Sequence, residues 1–167
     1  MNLKLPADFS PEERRDRAES YFNQGYNCCQ SILLAFADIL EDNCLATRDM
    51  LIAAGSGFGG GMGRMREVCG AFSGLVAISG FISPAMNPKN MEERTGNYTL
   101  VQDFAGQFKE ANGGSIICRE LLGLARKPSS QESPVPSERT ESYYKKRPCP
   151  KIVGSAAYIA ALKLSGK

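Results

Sequence analysis

The sequence predicts an all-α fold, a compact helical bundle of about six to seven helices. Three observations predict it. Apolar residues recur at helical spacing in several windows, helix-start signals precede those windows, and there is neither a convincing alternating strand pattern nor an internal repeat. At 167 residues the chain suits one domain with a sizeable core, and its 43% hydrophobic content is ordinary for a globular protein.

The first helix is expected over residues 10–24. Ser10 is its N-cap, Pro11 holds the first helical position, Glu13 completes a capping box, and Gly25 ends it. The stretch "NCCQSILLAFADIL" reads as one helix capped by Asn27, with Gln30 three residues on. Cys28, Ile32, Ala35, Phe36 and Ile39 form its apolar face. A shorter helix over 46–54 leads into the glycine-rich "GSGFGGGMG". Residues 67–81 follow as a buried helix, in which Gly70 and Gly74, four apart, let another backbone approach closely. Residues 91–111 form a longer amphipathic helix with Tyr98, Val101, Phe104, Ala105 and Phe108 on its core face. A short helix over 115–122 is capped by Ser115 and stops at Gly123. The Pro/Ser-rich stretch at about 127–140 reads as a loop or mobile excursion within the single domain. A final helix spans 152–164, with Cys149 as the cap and Pro150 at the first helical position.

Charge excludes some function classes. Charged residues make up 23% and the net charge is +2, which argues against nucleic acid or an anionic membrane surface as partner. Lys145, Lys146 and Arg147 read as a solvated helix end. No apolar run approaches the roughly 20 residues needed to span a bilayer, and the first residues do not read as a signal peptide. A cytoplasmic location is expected. Histidine is absent, which removes Ser-His and Cys-His nucleophile pairs, His-ligated haem and mixed Cys/His zinc sites. Without GxxxxGK[ST] there is no P-loop, and the glycine run, which follows no strand, is no dinucleotide fingerprint. It reads as a tight connection between packed helices.

Six cysteines remain, none in a CxxC pair. In a reducing compartment they point to metal binding, redox chemistry or plain burial. Cys28, Cys69, Cys118 and Cys149 all fall at or near expected helix starts. Unpaired N–H groups and the helix dipole stabilise an anion there, which lowers a thiol's pKa. The thiolate is the form that binds metals and attacks disulfides. Burial as a small hydrophobe is the competing reading for each of them. It is the preferred one for Cys29, off the apolar stripe, and for Cys44, in a polar turn. Gly70 and Gly74 read as packing glycines beside a site built on Cys69, ahead of cofactor contacts.

The "CGAFSG" at residues 69–74, "GYNCCQSIL" around Cys28, "CRELLG" from Cys118 and "CPKIVGSAA" from Cys149 together resemble the C_GCAxxG_C_C family of redox-active proteins. The similarity spans roughly residues 14–162. It implies one redox site built from the four cysteines. A similar domain in split-Soret cytochrome c has its cysteines associated with an iron–sulfur centre beside haems. No haem is carried over, because the chain has neither CxxCH nor histidine. Cys29 stands where the family usually has alanine, as a possible accessory or resolving thiol. Three readings stay open. The first is an iron–sulfur cluster on Cys28, Cys69, Cys118 and Cys149, used for electron transfer or redox sensing. The second is metal-free thiol–disulfide exchange with a redox partner protein. The third is a four-cysteine zinc site or a binding module without chemistry. A homodimer is expected from the glycine-faced helix and the analogy with the cytochrome.

Overall fold

Nine α-helices are found in the computed structural model among the described residues, which are 3–124, 132–145 and 147–166. They are α1 (Pro11–Asn23), α2 (Cys28–Ala35), α3 (Ala37–Asp42), α4 (Arg48–Gly55), α5 (Gly70–Ile82), α6 (Met91–Ala111), α7 (Cys118–Leu121), α8 (Glu141–Lys145) and α9 (Cys149–Leu164). The all-α expectation holds. The higher count comes from short pieces, since α3, α7 and α8 are four to six residues long.

Local chemistry sets the starts that the sequence announces. Ser10 Oγ accepts the Glu13 amide at 3.0 Å, while the Glu13 carboxylate turns to Arg14 and Arg17 instead of completing a capping box. Asn27 does form the full box. Its side chain accepts the Cys29 and Gln30 amides at 3.0 Å each, and the Gln30 side chain accepts the Asn27 amide at 3.0 Å. The same two side chains donate to the carbonyls of Gly55 and Ile52, so the start of α2 is fastened to the end of α4.

Residues 27–40, expected as one helix, break at Phe36. Arg14, 1% exposed, reaches from α1 to take the Ala35 carbonyl at 2.8 Å and Asp38 at 2.5 Å. Its guanidinium lies over the Phe9 and Phe36 rings. A buried cation needs these partners, and satisfying it draws a carbonyl out of the helical ladder.

Helix α2 is central, flanked by α1, α4, α5 and α9, while α1 lies along α9. Buried Ala18 and Phe22 of α1, Ile32 to Leu34 of α2, Leu75 and Ile78 of α5 and Val153, Ala156 and Ala160 of α9 belong to one core. Helix α6 spans the expected residues and buries Leu100, Phe104 and Phe108, the last against Phe72 of α5 with ring centroids 5.4 Å apart. Tyr98 is not core as expected: it is 59% exposed. The buried line runs at four-residue steps from Leu100, and Tyr98 sits about half a turn away from it.

Helix α5 starts at Gly70, three residues later than expected. The chain before it is extended, forming an isolated antiparallel bridge between Val68 and Ile117. Cys69 N–H donates to the Ile116 carbonyl at 2.8 Å, and Cys118 N–H to the Glu67 carbonyl at 2.7 Å. Two helix starts are thereby set side by side. The same pairing starts α7 at Cys118, so Ser115 is not its cap; the Ser115 hydroxyl accepts from Ile117 instead.

Gly74 is the tightest seam between α2 and α5. A Cβ there would stand 2.8 Å from the Ile32 Cβ and 3.1 Å from the Cys29 carbonyl, whereas one on Gly80 would meet nothing. Gly74→Ala is expected to destabilise the chain by roughly 1–3 kcal/mol through overpacking. Gly80→Ala, on the open face of the same helix, is expected to stabilise it by about 0.5–1 kcal/mol. Denaturant unfolding midpoints of the two variants check the contrast; equal shifts would contradict it.

Candidate functional site

Helices α2, α5, α7 and α9 begin around a single cavity of about 560 Å³, and Cys28, Cys69, Cys118 and Cys149 all line it. Cys28, Cys118 and Cys149 are the first residues of α2, α7 and α9, and Cys69 is the N-cap of α5. Cys149 was expected one position earlier, as the cap itself; Pro148 takes that place. Cys118 stands at the first position, nearer the helix start than the sequence suggested. None of the six cysteines is in a disulfide.

The neighbouring elements seat these thiols by close contact. A Cβ on Gly70 would lie 3.1 Å from the Cys28 Cβ and 2.6 Å from the Phe58 carbonyl. Gly61 has φ +73°, and a Cβ there would stand 2.6 Å from the Cys118 Cβ. Neither Gly70 nor Gly74 lines the cavity, so both act through packing.

The glycine run does more than connect helices. Gly60, Gly61, Met62, Gly63, Arg64 and Arg66 all have left-handed backbone, with φ between 57° and 73°. This turn is closed by bonds such as Gly63 N–H to the Gly57 carbonyl at 2.8 Å. Left-handed backbone costs a non-glycine residue roughly 1–2 kcal/mol, and three of the six bear that strain. The conformation brings Arg64 and Arg66 to the cavity wall, where Arg66 lies close enough to Cys118 to favour its thiolate.

Facing this turn is the segment 132–140. Glu132 pairs with Arg66 at 2.7 Å and Arg64 at 3.5 Å, and Arg64 donates to the Ser133 carbonyl and the Ser137 hydroxyl. Arg139 donates to the Phe22 carbonyl at 3.0 Å. Residues 127–131 of the expected excursion lie outside the described residues. Arg147, expected as part of a solvated cluster, instead lines the cavity and stacks on Tyr143, its guanidinium carbon 4.6 Å from the ring centroid.

The four thiols do not share the lowered pKa expected at helix starts. A hydrogen bond from Cys28, with Arg147, its own amide and Arg66 adding to it, holds Cys149 down at about 7 against the opposing effect of burial. Cys28 is the other half of that pair: the bond to Cys149 and burial push it well above the ordinary thiol value. Burial pushes Cys69 up to about 12, although the amides of Ala71 and Phe72 oppose it. Burial also raises Cys118, against Arg66. Desolvation prevails at Cys69 and Cys118, the neighbouring Cys149 raises Cys28, and Cys149 is the one thiol of the four that is lowered.

The two remaining cysteines lie apart from the cavity lining. Cys29 is 1% exposed in the core, with burial pushing it up to about 12. Cys44 is exposed, at the left-handed residue after α3. Sequence reasoning missed Arg64, Arg66, Arg139 and Arg147, which converge from distant positions with no local motif to mark them.

The donor set suits a soft metal or cluster in chemistry, since four thiols share one cavity with arginines to offset thiolate charge. Its placement does not. Among the described residues no group of three or more cysteine or carboxylate side chains stands as a metal ion would require. The arrangement as it stands sets Cys149, held at about 7, beside a raised Cys28, with burial raising Cys69 and Cys118 as well.

The thiolate fraction of Cys149 rises as pH rises through about 7. Alkylation of the Cys44→Ser protein by iodoacetamide, mapped by peptide mass, is therefore expected at Cys149 first, with a midpoint near pH 7. Cys28, Cys69 and Cys118 are expected to stay slow past pH 9. Equal rates at all four would contradict this ordering.

The chain was also compared with known families, curated proteins and solved structures. The model of the family described as "Putative redox-active protein (C_GCAxxG_C_C)" matches residues 26–162. No curated protein and no solved structure matches the chain. The family match covers most of the sequence and every cysteine at the cavity, and the chain belongs to the C_GCAxxG_C_C redox-active protein family.

Proposed function

We propose that this chain is a thiol–disulfide redox protein whose exchanging pair is Cys149 and Cys28. The observation that carries the reading is that these two thiols line one cavity and act on each other there, Cys28 drawing Cys149 down to about 7 and Cys149 raising Cys28. The co-reactant is a disulfide, RSSR. The Cys149 thiolate attacks one of its sulfurs, a Cys149–SR mixed disulfide forms, and RS⁻ leaves and takes up a proton. Cys28 then loses its proton and attacks the Cys149 sulfur, forming Cys28–Cys149 and releasing the second RS⁻. The protein gives up two electrons, and the disulfide becomes two thiols. Capping Cys149 removes the negative charge that holds the proton on Cys28, so the first step activates the second.

A second reading, an iron–sulfur cluster on Cys28, Cys69, Cys118 and Cys149, is favoured by the number of thiols at one cavity. It supplies one-electron transfer when bound and requires the four sulfurs to close in on one another. Zinc would make the same demand.

Anaerobic purification followed by iron, acid-labile sulfide, zinc and free-thiol assays separates these readings. The exchange reading expects a colourless, metal-free dithiol that consumes hydroxyethyl disulfide and acquires one bridge, Cys28–Cys149. Cys149→Ser is expected to slow that reaction by at least a hundredfold, and Cys28→Ser to accumulate the mixed disulfide. Stoichiometric iron and sulfide, or zinc, with loss of metal in each single serine variant would overturn exchange in favour of the ligand readings.

A further inference from the structure

Resting on the exchange reading above, we propose that the cavity binds its disulfide as a small, carboxylate-bearing molecule, held by Arg139 and Arg147. Size is the first argument. About 560 Å³ lies within the 300–1,000 Å³ of small-molecule sites, which suits a low-molecular-weight disulfide.

Charge is the second. Four arginines line the cavity and no acidic residue does, among the described residues. Arg64 and Arg66 are matched from outside the lining by Glu132. Arg139 and Arg147 form no close ion pair among those seen in the described residues, although the charge of Arg147 does reach Glu132. They are instead propped by aromatic faces: Arg139 lies 4.7 Å from the Phe22 centroid and 5.6 Å from that of Tyr143, and Arg147 lies 4.6 Å from Tyr143. Stacking fixes the guanidinium planes and leaves N–H edges for an acceptor. Arg139 spends one donor on the Phe22 carbonyl and keeps others. A carboxylate is the acceptor that such a fork takes in two parallel bonds.

The remaining lining completes the class. Leu121, Ile152, Val153 and Pro136 provide apolar wall, which fits the methylenes and sulfurs of a dialkyl disulfide. Cys149 lines the same cavity as both arginines, so a ligand anchored by its carboxylate presents its sulfur to the attacking thiolate.

Three probes test this on the reduced chain: oxidised glutathione, neutral hydroxyethyl disulfide, and S-methylglutathione, which carries carboxylates but cannot exchange. The ratio of the rates with oxidised glutathione and hydroxyethyl disulfide is expected to exceed that of free N-acetylcysteine at least tenfold. The Arg139→Gln/Arg147→Gln variant should return the ratio to the free-thiol value and lose calorimetric binding of S-methylglutathione. Arg139→Lys/Arg147→Lys should keep part of both, and helical circular dichroism confirms that the variants fold. A free-thiol ratio in the unmodified chain, or a raised ratio that the glutamine variant leaves unchanged, would overturn the proposal. If Cys149 exchanges with the neutral disulfide but S-methylglutathione does not bind, the anion site falls and exchange stands. Arginine-dependent binding of S-methylglutathione with an inert Cys149 would leave the anion site standing and end the exchange reading.

Discussion

Four helices begin at the wall of one cavity, and the remaining features of the site depend on that convergence. Cysteines far apart in sequence reach the same space because each occupies the cap or first position of its helix. Two devices aim the helices. An extended bridge between Val68 and Ile117 sets the starts of α5 and α7 side by side, and the Asn27–Gln30 box fastens α2 to the end of α4. Glycines at 61, 70 and 74 then permit distances that any Cβ would block.

Convergence alone would give four similar thiols; burial and the mutual influence of Cys28 and Cys149 differentiate them. Unpaired amides at a helix start favour a thiolate, and desolvation opposes it. At Cys69 desolvation wins even with two amides facing the sulfur. At Cys149 the balance reverses, because the neighbouring Cys28 thiol, Arg147 and Arg66 favour its thiolate. On the exchange reading proposed above, Cys149 is the nucleophile and Cys28 its protonated partner, a division of labour that suits two-step exchange. The strained left-handed turn fits the same account. It holds Arg66, which both lies beside Cys118 and ties down Glu132.

Much of the fold was legible because helix starts are written locally. Ser10 and Asn27 cap as their neighbours indicate, and the 91–111 helix has its expected ends. The four site cysteines could be chosen from their positions relative to those starts and from the "CGAFSG" stretch. What could not be read depends on partners from elsewhere in the chain. The break at Phe36 answers to Arg14 on another helix, and the late start of α5 answers to a bridge with Ile117. Tyr98 was misplaced because its apolar neighbours suggested a wider buried stripe than α6 has. The arginines around the cavity carry no pattern of their own. Arg147 resembled a solvated charge until the fold set it against Tyr143 and beside Cys149.

The central claim is that Cys28 and Cys149 share one pocket as a working pair. Dibromobimane, which fluoresces when both of its arms are captured by neighbouring thiols, tests it most directly on the reduced Cys44→Ser chain. The account predicts one fluorescent bridge joining the Cys28 and Cys149 peptides. Single-arm labelling of separate cysteines, or bridging that leaves Cys149 out, would contradict it.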